Sequence, residues 1–330
     1  MRHLLAIAIV TAVCALFAGQ AAAAMIQHVL IADARNDRVL EFETDGTFVG
    51  TFASGFSPGG IKQGPDGNVY IADTDDQSGQ TGGGPIRKFA IDGTPLSHAF
   101  NGQANIRPDD IAFNSSGDLF FVNPFGVGTE DDQVYRVDGQ SSVTAVVPSG
   151  FNDPSNLTDP DTLNTPRGLT IDGDGDLVVA DRGNNRLLEF DPATGNLISV
   201  IANDDNPQAP YYQDGSIFFT LLDDGSRYLR EVDGSGTVLN EYNFGNAELR
   251  FDPFVLPDGD VLLSDFQNNR LLRFESDLSS FTVFADSTTL FDGSTLDGPT
   301  FGAVTIIPEP ATLALLGLGG AVMLAGRRRR

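Results

Sequence analysis

The sequence has very few residues that carry thiol or imidazole chemistry. Among its 330 residues there are one cysteine, three histidines and no tryptophan. A disulfide framework needs paired cysteines and a structural zinc site needs several Cys or His ligands, so both classes are excluded. A serine hydrolase needs a histidine base, and His28 and His98 fall on or near predicted strands, which argues against that class as well.

Basic residues are also scarce. Acidic residues number 45 against 20 basic ones, which gives a formal net charge of −25, and only Lys62 and Lys88 are lysines. A field of this sign repels phosphate backbones and anionic lipid headgroups, so no nucleic-acid partner is predicted. Long runs with helical periodicity are missing from the central region. The whole chain has 37 glycines, 18 prolines and 41% apolar residues, a composition typical of a turn-rich β protein with a real core.

The N-terminus has the features of a secretory signal peptide. Arg2 precedes an apolar run from Leu4 to Phe17, which is followed by a stretch of small residues that ends at Ala24. These features predict a signal peptide over residues 1–24. One alternative is an N-terminal membrane anchor, for which the run is short. Another is a lipoprotein signal at Cys14, which lacks the small residue wanted before such a cysteine.

The C-terminus contains three elements in a fixed order. Pro308, Glu309 and Pro310 precede an uncharged run over residues 311–326. Four arginines then end the chain: Arg327, Arg328, Arg329 and Arg330. A helix over the uncharged run would measure about 24 Å, which is short of the hydrocarbon core but workable with neighbouring residues or local thinning. We therefore predict a single C-terminal transmembrane helix, with the arginines inside and the rest of the chain outside the cytoplasm.

In this order the three elements closely resemble the PEP-CTERM sorting signal. The resemblance covers about residues 306–330 and implies recognition by an exosortase, a membrane-embedded cysteine peptidase, with processing near Pro308-Glu309-Pro310. It also implies that the exported chain is transiently anchored in the inner membrane by its C-terminal helix and then reaches the cell envelope or the exopolysaccharide matrix. A permanent tail anchor is the alternative.

The region between the two ends repeats one unit six times. The segment Asn-Asn-Arg-Leu-Leu-Glu-Phe at 184–190 recurs with small changes at 268–274 and at 36–42, and each copy follows an apolar run that ends in aspartate. Weaker copies fill the gaps. The six units are anchored at equivalent positions, at spacings of 39 to 58 residues: Asp33, Asp73, Asn123, Asp181, Thr220 and Asp265.

Each unit has the pattern of a four-stranded antiparallel sheet. In the fourth unit an apolar strand at 168–171 meets an Asp-Gly turn, a second strand follows at 176–180, and further turns separate two more strands. Six such units predict an all-β, six-bladed β-propeller over residues 25–307. Residues 301–306 match the first strand of a unit, whereas the body begins at a second-strand sequence. We therefore predict that the C-terminal strand closes the first blade.

The body resembles the six-bladed propellers that are built from NHL repeats. Units of that family carry the pattern Ala-Asp-x-x-Asn-x-Arg-hydrophobic. Units one, four and six of this chain match it well, units two and three match it partly, and unit five matches it poorly.

Aspartate and arginine recur together in these units. The pairs are Asp33 with Arg38, Asp181 with Arg186, and Asp265 with Arg270, and unit two contributes Asp73. Catalysis needs one site, whereas these pairs recur around the ring. We therefore predict a structural role, in which the aspartate bonds the hairpin backbone and the arginine braces its neighbour.

The fourth unit also contains a short run that resembles the start of a calcium loop. Asp172, Asp174 and Asp176 have the required spacing, but Leu177 and Gly183 replace the glycine and the glutamate of an EF-hand. A hairpin turn explains the run fully, so no cofactor is predicted, and calcium is the alternative.

A propeller has a central tunnel, and we expect the residues just before each first strand to face the mouth of that tunnel. Two of these entries are acidic: Asp109 with Asp110, and Asp252. Six-bladed lactonases of the gluconolactonase and paraoxonase type hold a divalent cation there and polarise a lactone carbonyl with it. The other entries supply few oxygen ligands, and Arg167 opposes a cation: Gly59-Gly60, Arg167, Tyr211-Tyr212 and Phe301.

The long connections between strands are polar and acidic, and they contain Phe125, Phe151, Tyr211 and Tyr212. Aromatic side chains among hydrogen-bonding groups on a rigid ring suit sugars or peptides. We therefore expect a non-enzymatic exported scaffold that binds an envelope protein or an extracellular polysaccharide. A metal-dependent lactonase or related hydrolase is the alternative.

Overall fold

The structure, a computed structural model, describes residues 26–74, 83–124, 132–147, 162–245, 252–288, 290, 293 and 295–307. Within them the backbone forms 23 β-strands and two short 3₁₀ turns, Ala34–Asn36 and Arg182–Asn184. No helix in this part of the chain is long and apolar enough to cross a membrane. The predicted signal peptide and the predicted C-terminal helix lie outside the described residues.

The main unit of the chain runs from His28 to Thr305, and its strands form six antiparallel sheets. The first blade contains β1 (Ile26–Asp33), β2 (Arg38–Glu43), β3 (Phe48–Ser54) and the C-terminal β23 (Pro299–Ile307). The second contains β4 (Pro58–Gln63), β5 (Val69–Asp73) and β6 (Ile86–Phe89). The third contains β7 (Ile111–Phe113), β8 (Leu119–Asn123), β9 (Gln133–Gly139) and β10 (Ser142–Val147).

The last three blades follow the same order of strands. The fourth contains β11 (Leu169–Ile171), β12 (Leu177–Asp181), β13 (Arg186–Phe190) and β14 (Leu197–Ala202). The fifth contains β15 (Gln208–Gln213), β16 (Ser216–Asp223), β17 (Ser226–Asp233) and β18 (Val238–Asn243). The sixth contains β19 (Pro253–Val255), β20 (Val261–Asp265), β21 (Arg270–Phe274) and β22 (Phe281–Asp286). The predicted all-β, six-bladed propeller with antiparallel blades is confirmed.

The C-terminal strand closes the first blade. This sheet has the order β23-β1-β2-β3, so the last strand of the chain takes the innermost position. The Thr305 hydroxyl donates a hydrogen bond to the carbonyl of His28 at 3.4 Å. The predicted closure is confirmed, and it removes the open edge that a six-blade arc would otherwise expose.

The second blade departs from the four-stranded pattern. Within the described residues its sheet has three strands. Isolated bridges of Phe89 with Pro95 and of Ile86 with Phe100 take the position of a fourth. Proline has no N–H to donate, so a regular ladder does not continue through Pro95.

The hydrophobic core is divided among the six interfaces between neighbouring blades. Strand β1 shows the arrangement: Val29 and Ile31 pack in the cluster shared with the sixth blade, whereas Leu30 and Ala32 pack in the cluster shared with the second. Both faces of each second strand are therefore buried. This explains why the second strands have continuous apolar runs instead of alternating ones.

Candidate binding site at the tunnel mouth

The starts of the innermost strands converge on a cavity of about 120 Å³. Each blade contributes to its wall: Thr300 and Phe301, Pro58 and Gly59, Asp109, Arg167, Gln208, and Asp252. The prediction that the strand entries face the tunnel mouth is confirmed for the entries at Gly59, Asp109, Arg167, Asp252 and Phe301.

The entry of the fifth blade was predicted wrongly. Strand β15 begins at Gln208, three residues before Tyr211, and Gln208 is the residue that lines the cavity. The pairing of β15 with β16 shifts register between Gln208 and Tyr211, and Ala209 has a φ of 46°. Such a bulge adds residues to a strand without a clear sequence signal, because the left-handed residue here is an alanine instead of a glycine. Tyr211 and Tyr212 therefore lie on a strand and not in a connection.

A second set of wall residues was missed. Ala34, Thr74 and Phe266 line the cavity, and each directly follows the aspartate that anchors its unit. The first and second strands of a blade are antiparallel, so the start of the first strand and the end of the second lie at the same end of the blade. The repeat register could therefore have identified these three positions from the sequence.

Asp109 and Arg167 form an ion pair across the mouth. Nη1 of Arg167, from the fourth blade, lies 3.0 Å from Oδ2 and 3.3 Å from Oδ1 of Asp109, from the third blade. The pair joins two neighbouring blades and engages carboxylate oxygens that a metal ion would use.

Asp110 is buried behind this pair. Its Oδ1 accepts a hydrogen bond from the N–H of Ile111 at 2.8 Å, and its Oδ2 accepts one from the N–H of Leu169 at 3.1 Å. A Cβ at Gly60 would lie 2.4 Å from Oδ1, so the second blade approaches as closely as a glycine allows. Burial raises the pKa of Asp110 to about 6, although Lys62 and the two N–H groups favour its charged form.

Asp252 is the carboxyl group with the most unusual environment. Its backbone N–H donates to Ser264 Oγ at 3.3 Å, and among the described residues its side chain accepts no hydrogen bond. Burial raises the pKa of Asp252 to about 8, with further contributions from the negative charges of Asp110 and Asp109. Arg167 and Lys62 act in the opposite direction.

Lys62 reaches across the tunnel. Its Nζ lies 5.1 Å from the centre of the Tyr211 ring, so a cation from the second blade meets an aromatic ring from the fifth. Burial raises the pKa of Tyr211, which therefore stays neutral beside the lysine.

The three predicted metal candidates Asp109, Asp110 and Asp252 do not form a compact ligand set. Among the described residues, three carboxylates whose ligand atoms lie within 4.8 Å of one another occur at Asp172, Asp176 and Glu189. At the mouth, Asp109 is bonded to Arg167, and Asp110 accepts two backbone N–H groups.

The Asp172 run forms the predicted hairpin turn. Oδ1 of Asp172 accepts hydrogen bonds from the N–H groups of Asp174, Gly175 and Asp176 at 2.9 to 3.0 Å. Glu189, on the neighbouring strand, faces Asp172 and Asp176, and burial together with these charges raises its pKa. Calcium binding at this turn stays the alternative.

The repeated aspartates hold the hairpins of their own blades. Oδ2 of Asp33 and Oδ2 of Asp181 each accept a 2.7 Å hydrogen bond from the Nε of the paired arginine, Arg38 or Arg186. The same 2.7 Å bond joins two further pairs: Arg87 with Asp73 and Arg270 with Asp265.

Two of these aspartates also bind the loop that enters their blade. Oδ1 of Asp33 accepts the N–H of Asp297, and Oδ1 of Asp181 accepts the N–H of Asn164, both at 2.7 Å. These contacts support the predicted structural role.

A serine motif also adjoins the mouth. Gly55-Phe56-Ser57-Pro58-Gly59 matches the Gly-x-Ser-x-Gly pattern, but it joins two strands, whereas a nucleophile elbow joins a strand to a helix. The Thr74 hydroxyl lies 3.3 Å from Ser57 Oγ.

The remaining predicted interaction residues Phe125 and Phe151 lie outside the described residues. The residues of the predicted sorting signal lie outside them too: Pro308, Glu309, Pro310, Arg327, Arg328, Arg329 and Arg330.

Two family models match the chain. Residues 163–190 match the NHL repeat, and residues 307–330 match the PEP-CTERM protein-sorting motif. The chain carries both. The PEP-CTERM motif implies export, a membrane-anchored sorting signal and processing by an exosortase. No match was found among curated proteins.

Solved structures share the fold at low sequence identity. A chain of a nidogen/laminin complex has a TM-score of 0.61 and 12% identity, covering 84% of this chain and 98% of that one. TolB from Acinetobacter baumannii has a TM-score of 0.59 and 14% identity, covering 84% of this chain and 66% of that one. A streptogramin B lyase has a TM-score of 0.52 and 14% identity, covering 85% and 90%. These likenesses show the propeller fold alone.

Proposed function

We propose that the chain is an exported interaction scaffold that binds protein or glycan in the cell envelope or the exopolysaccharide matrix. The match of residues 307–330 to the PEP-CTERM motif supports this location. A propeller chain takes part in the nidogen/laminin complex, which supports recognition of another protein by this architecture.

The ion pair between Asp109 and Arg167 carries the proposal. A lactonase needs several oxygen ligands at the tunnel mouth to hold a divalent cation and polarise a carbonyl. Here the guanidinium of Arg167 engages Asp109, and two backbone N–H groups engage Asp110. The geometry therefore favours recognition by a rigid ring over metal-assisted hydrolysis.

The test uses the purified full chain in detergent and two defined probes. The first is exopolysaccharide together with the envelope fraction of the bacterium that produces the chain, and the second is glucono-δ-lactone. We expect saturable co-sedimentation with the polysaccharide or the envelope fraction, and no lactone hydrolysis. Hydrolysis that EDTA stops and that Asp252→Ala removes, without co-sedimentation, would overturn the proposal.

Sorting is tested separately. Replacing Glu309 by alanine changes the Pro-Glu-Pro element, so we expect the variant to stay in the inner-membrane fraction and the wild-type chain to be processed. Glu43→Ala, at an exposed glutamate of the propeller, is the matched control and should be processed normally. Equal processing of all three chains would contradict the role of Glu309.

A further inference from the structure

The cavity at the tunnel mouth has charged and aromatic walls. Asp109, Arg167 and Asp252 contribute the charged groups, whereas Phe266 and Phe301 contribute apolar surface. Its volume is about 120 Å³.

The balance of charges around this cavity depends on whether Asp252 is ionised. Three carboxyl groups, of Asp109, Asp110 and Asp252, act on one another together with two cations, Arg167 and Lys62. Arg35 follows the wall residue Ala34, and its Nη1 lies 3.1 Å from Oδ1 of Asp297. This neighbouring ion pair therefore adds no net charge. Asp252 keeps its proton up to about pH 8, so a cation that binds its carboxylate takes the place of that proton.

Asp252 is the carboxyl group that such a charge would meet. Asp109 is bound to Arg167, and Asp110 is buried and accepts two backbone N–H groups. Asp252 lines the cavity, and within the described ranges no residue donates a hydrogen bond to its side chain.

The walls favour an organic cation over a metal ion. A calcium ion takes about six to eight oxygen ligands, and Asp109 and Asp110 are already engaged. The faces of aromatic rings attract ammonium and guanidinium groups. The guanidinium of Arg35 already lies 4.2 Å from the centre of the Phe266 ring, which shows that this ring accepts such a group.

We propose that the tunnel mouth binds a primary ammonium or guanidinium group, held by the carboxylate of Asp252 beside the rings of Phe266 and Phe301. A free amine or a lysine or arginine side chain of a partner protein supplies this chemistry, and the second source rests on the proposed function. The formal net charge of −25 draws such cations toward the molecule.

The test measures binding to the full chain by calorimetry. The probes are butylammonium, methylguanidinium and the peptide acetyl-Gly-Lys-Gly-amide, and the neutral counterparts are butanol and acetyl-Gly-norleucine-Gly-amide. Because each neutral counterpart lacks the charged hydrogen bond to Asp252, we expect each cation to bind at least about tenfold more tightly, a difference of about 1.4 kcal/mol. Binding of butylammonium identifies free amines as ligands, and binding of the peptide identifies a protein side chain.

Two matched variants locate the site. Asp252→Asn should weaken cation binding by at least about tenfold. Asp45→Asn, at an exposed carboxylate that does not line the cavity, should leave it within about twofold. If Asp252→Asn does not fold, Phe266→Leu provides the second test, with an expected loss of about threefold or more. Equal binding of cationic and neutral probes overturns the inference, as does an equal loss in both Asn variants.

Three further outcomes test this inference, and the last two separate it from the proposed function. If calcium displaces butylammonium and binds more tightly, the mouth is a metal site and the inference fails. If the chain binds exopolysaccharide or the envelope fraction while butylammonium has no effect and no affinity of its own, the proposed function stands and the inference fails. Binding of butylammonium without any macromolecular partner supports the inference and contradicts the scaffold role.

Discussion

Aspartate–arginine pairs occur in two regions of this molecule with different surroundings. In the fourth blade, Asp181 and Arg186 are 2.7 Å apart, and their side chains are 0% and 3% exposed. At the tunnel mouth, Asp109 and Arg167 are 3.0 Å apart, and the arginine side chain is 23% exposed. The first pair lies within one hairpin and has counterparts in other blades, whereas the second joins two different blades.

The difference shows that position in the repeat, and not residue type, separates the two roles. Asp181 also accepts the N–H of Asn164 and a side-chain bond from Asn184, so its oxygens are fully used by its own blade. Asp109 and Arg167 line a cavity together with Asp252. The charge of Asp109 raises the pKa of Asp252, and the charge of Arg167 lowers it. One pair stabilises a blade, and the other shapes a site.

The largest effect is expected from the buried repeated pair. Asp181→Ala leaves the guanidinium of Arg186 buried without its carboxylate and also removes the acceptor of the Asn164 N–H. Breaking a buried pair costs about 3–5 kcal/mol, so the free energy of unfolding should fall by that amount. Urea unfolding of the full chain, followed by circular dichroism, measures this loss.

The control is an exposed pair on the same face. In the pair of Arg35 with Asp297 the side chains are 44% and 40% exposed, so Asp297→Ala should cost less than about 1 kcal/mol. Equal losses in the two variants would show that burial does not distinguish them, and the comparison would fail.

The second prediction concerns pH and the tunnel mouth. The pKa of Asp252 is raised to about 8 in the folded chain from an ordinary value of 3.8. The folded state therefore binds a proton that the unfolded state releases, and stability should fall as the pH rises from about 4 to about 8. Asp252→Asn removes this ionisation, so it should flatten the decline, with its largest gain over wild type above pH 8.

Thermal melts between pH 4 and pH 9 test this prediction. Asp297→Asn replaces an exposed carboxylate, so its melting curve should follow that of the wild type across the range. If Asp252→Asn keeps the full decline, the ionisation of Asp252 does not limit stability at high pH.

The fold was predictable because the propeller is encoded six times. Weak copies such as the fifth unit, where Thr220 replaces aspartate, were placed by their neighbours and by the period. The continuous apolar runs and the Asp-Gly turns specify strands and hairpins locally. The missing fourth strand of the second blade and the bulge at Ala209 were not predicted, because both depend on tertiary packing.

The site was predictable only in part. The repeat register placed Asp109, Arg167 and Asp252 at the same end of the tunnel. It did not show that Arg167 would bond Asp109, because side-chain direction between blades depends on how far each strand is shifted. It also did not show that Lys62 would cross to Tyr211, because the entry of the fifth blade was misplaced by three residues.

The third prediction tests how closely the second blade must approach the mouth. A Cβ at Gly60 would lie 2.4 Å from Oδ1 and 2.7 Å from Cα of Asp110, and the latter is backbone that does not move aside. Gly60→Ala should therefore cost about 1–3 kcal/mol of unfolding free energy. Gly50→Ala is the matched control, because no atom lies within 4 Å of its added Cβ. A loss no larger in Gly60→Ala than in Gly50→Ala would show that the blades are less tightly joined at the mouth.

The smallest effect is expected at a third arrangement, where carboxylates meet without an arginine. Burial and the charges of Asp172 and Asp176 raise the pKa of Glu189, so its ionisation opposes folding. In EDTA at pH 7, Glu189→Gln should therefore stabilise the chain by about 0.2–1 kcal/mol, and this gain should vanish near pH 4, where the carboxyl is protonated. Glu43→Gln, at an exposed glutamate, should leave the free energy of unfolding unchanged both at pH 7 and near pH 4. Melts in millimolar calcium sharpen the test. If calcium binds the wild type but not Glu189→Gln, the wild type becomes the chain with the higher melting temperature. If the order of the two melting temperatures stays the same, the three carboxylates only repel one another.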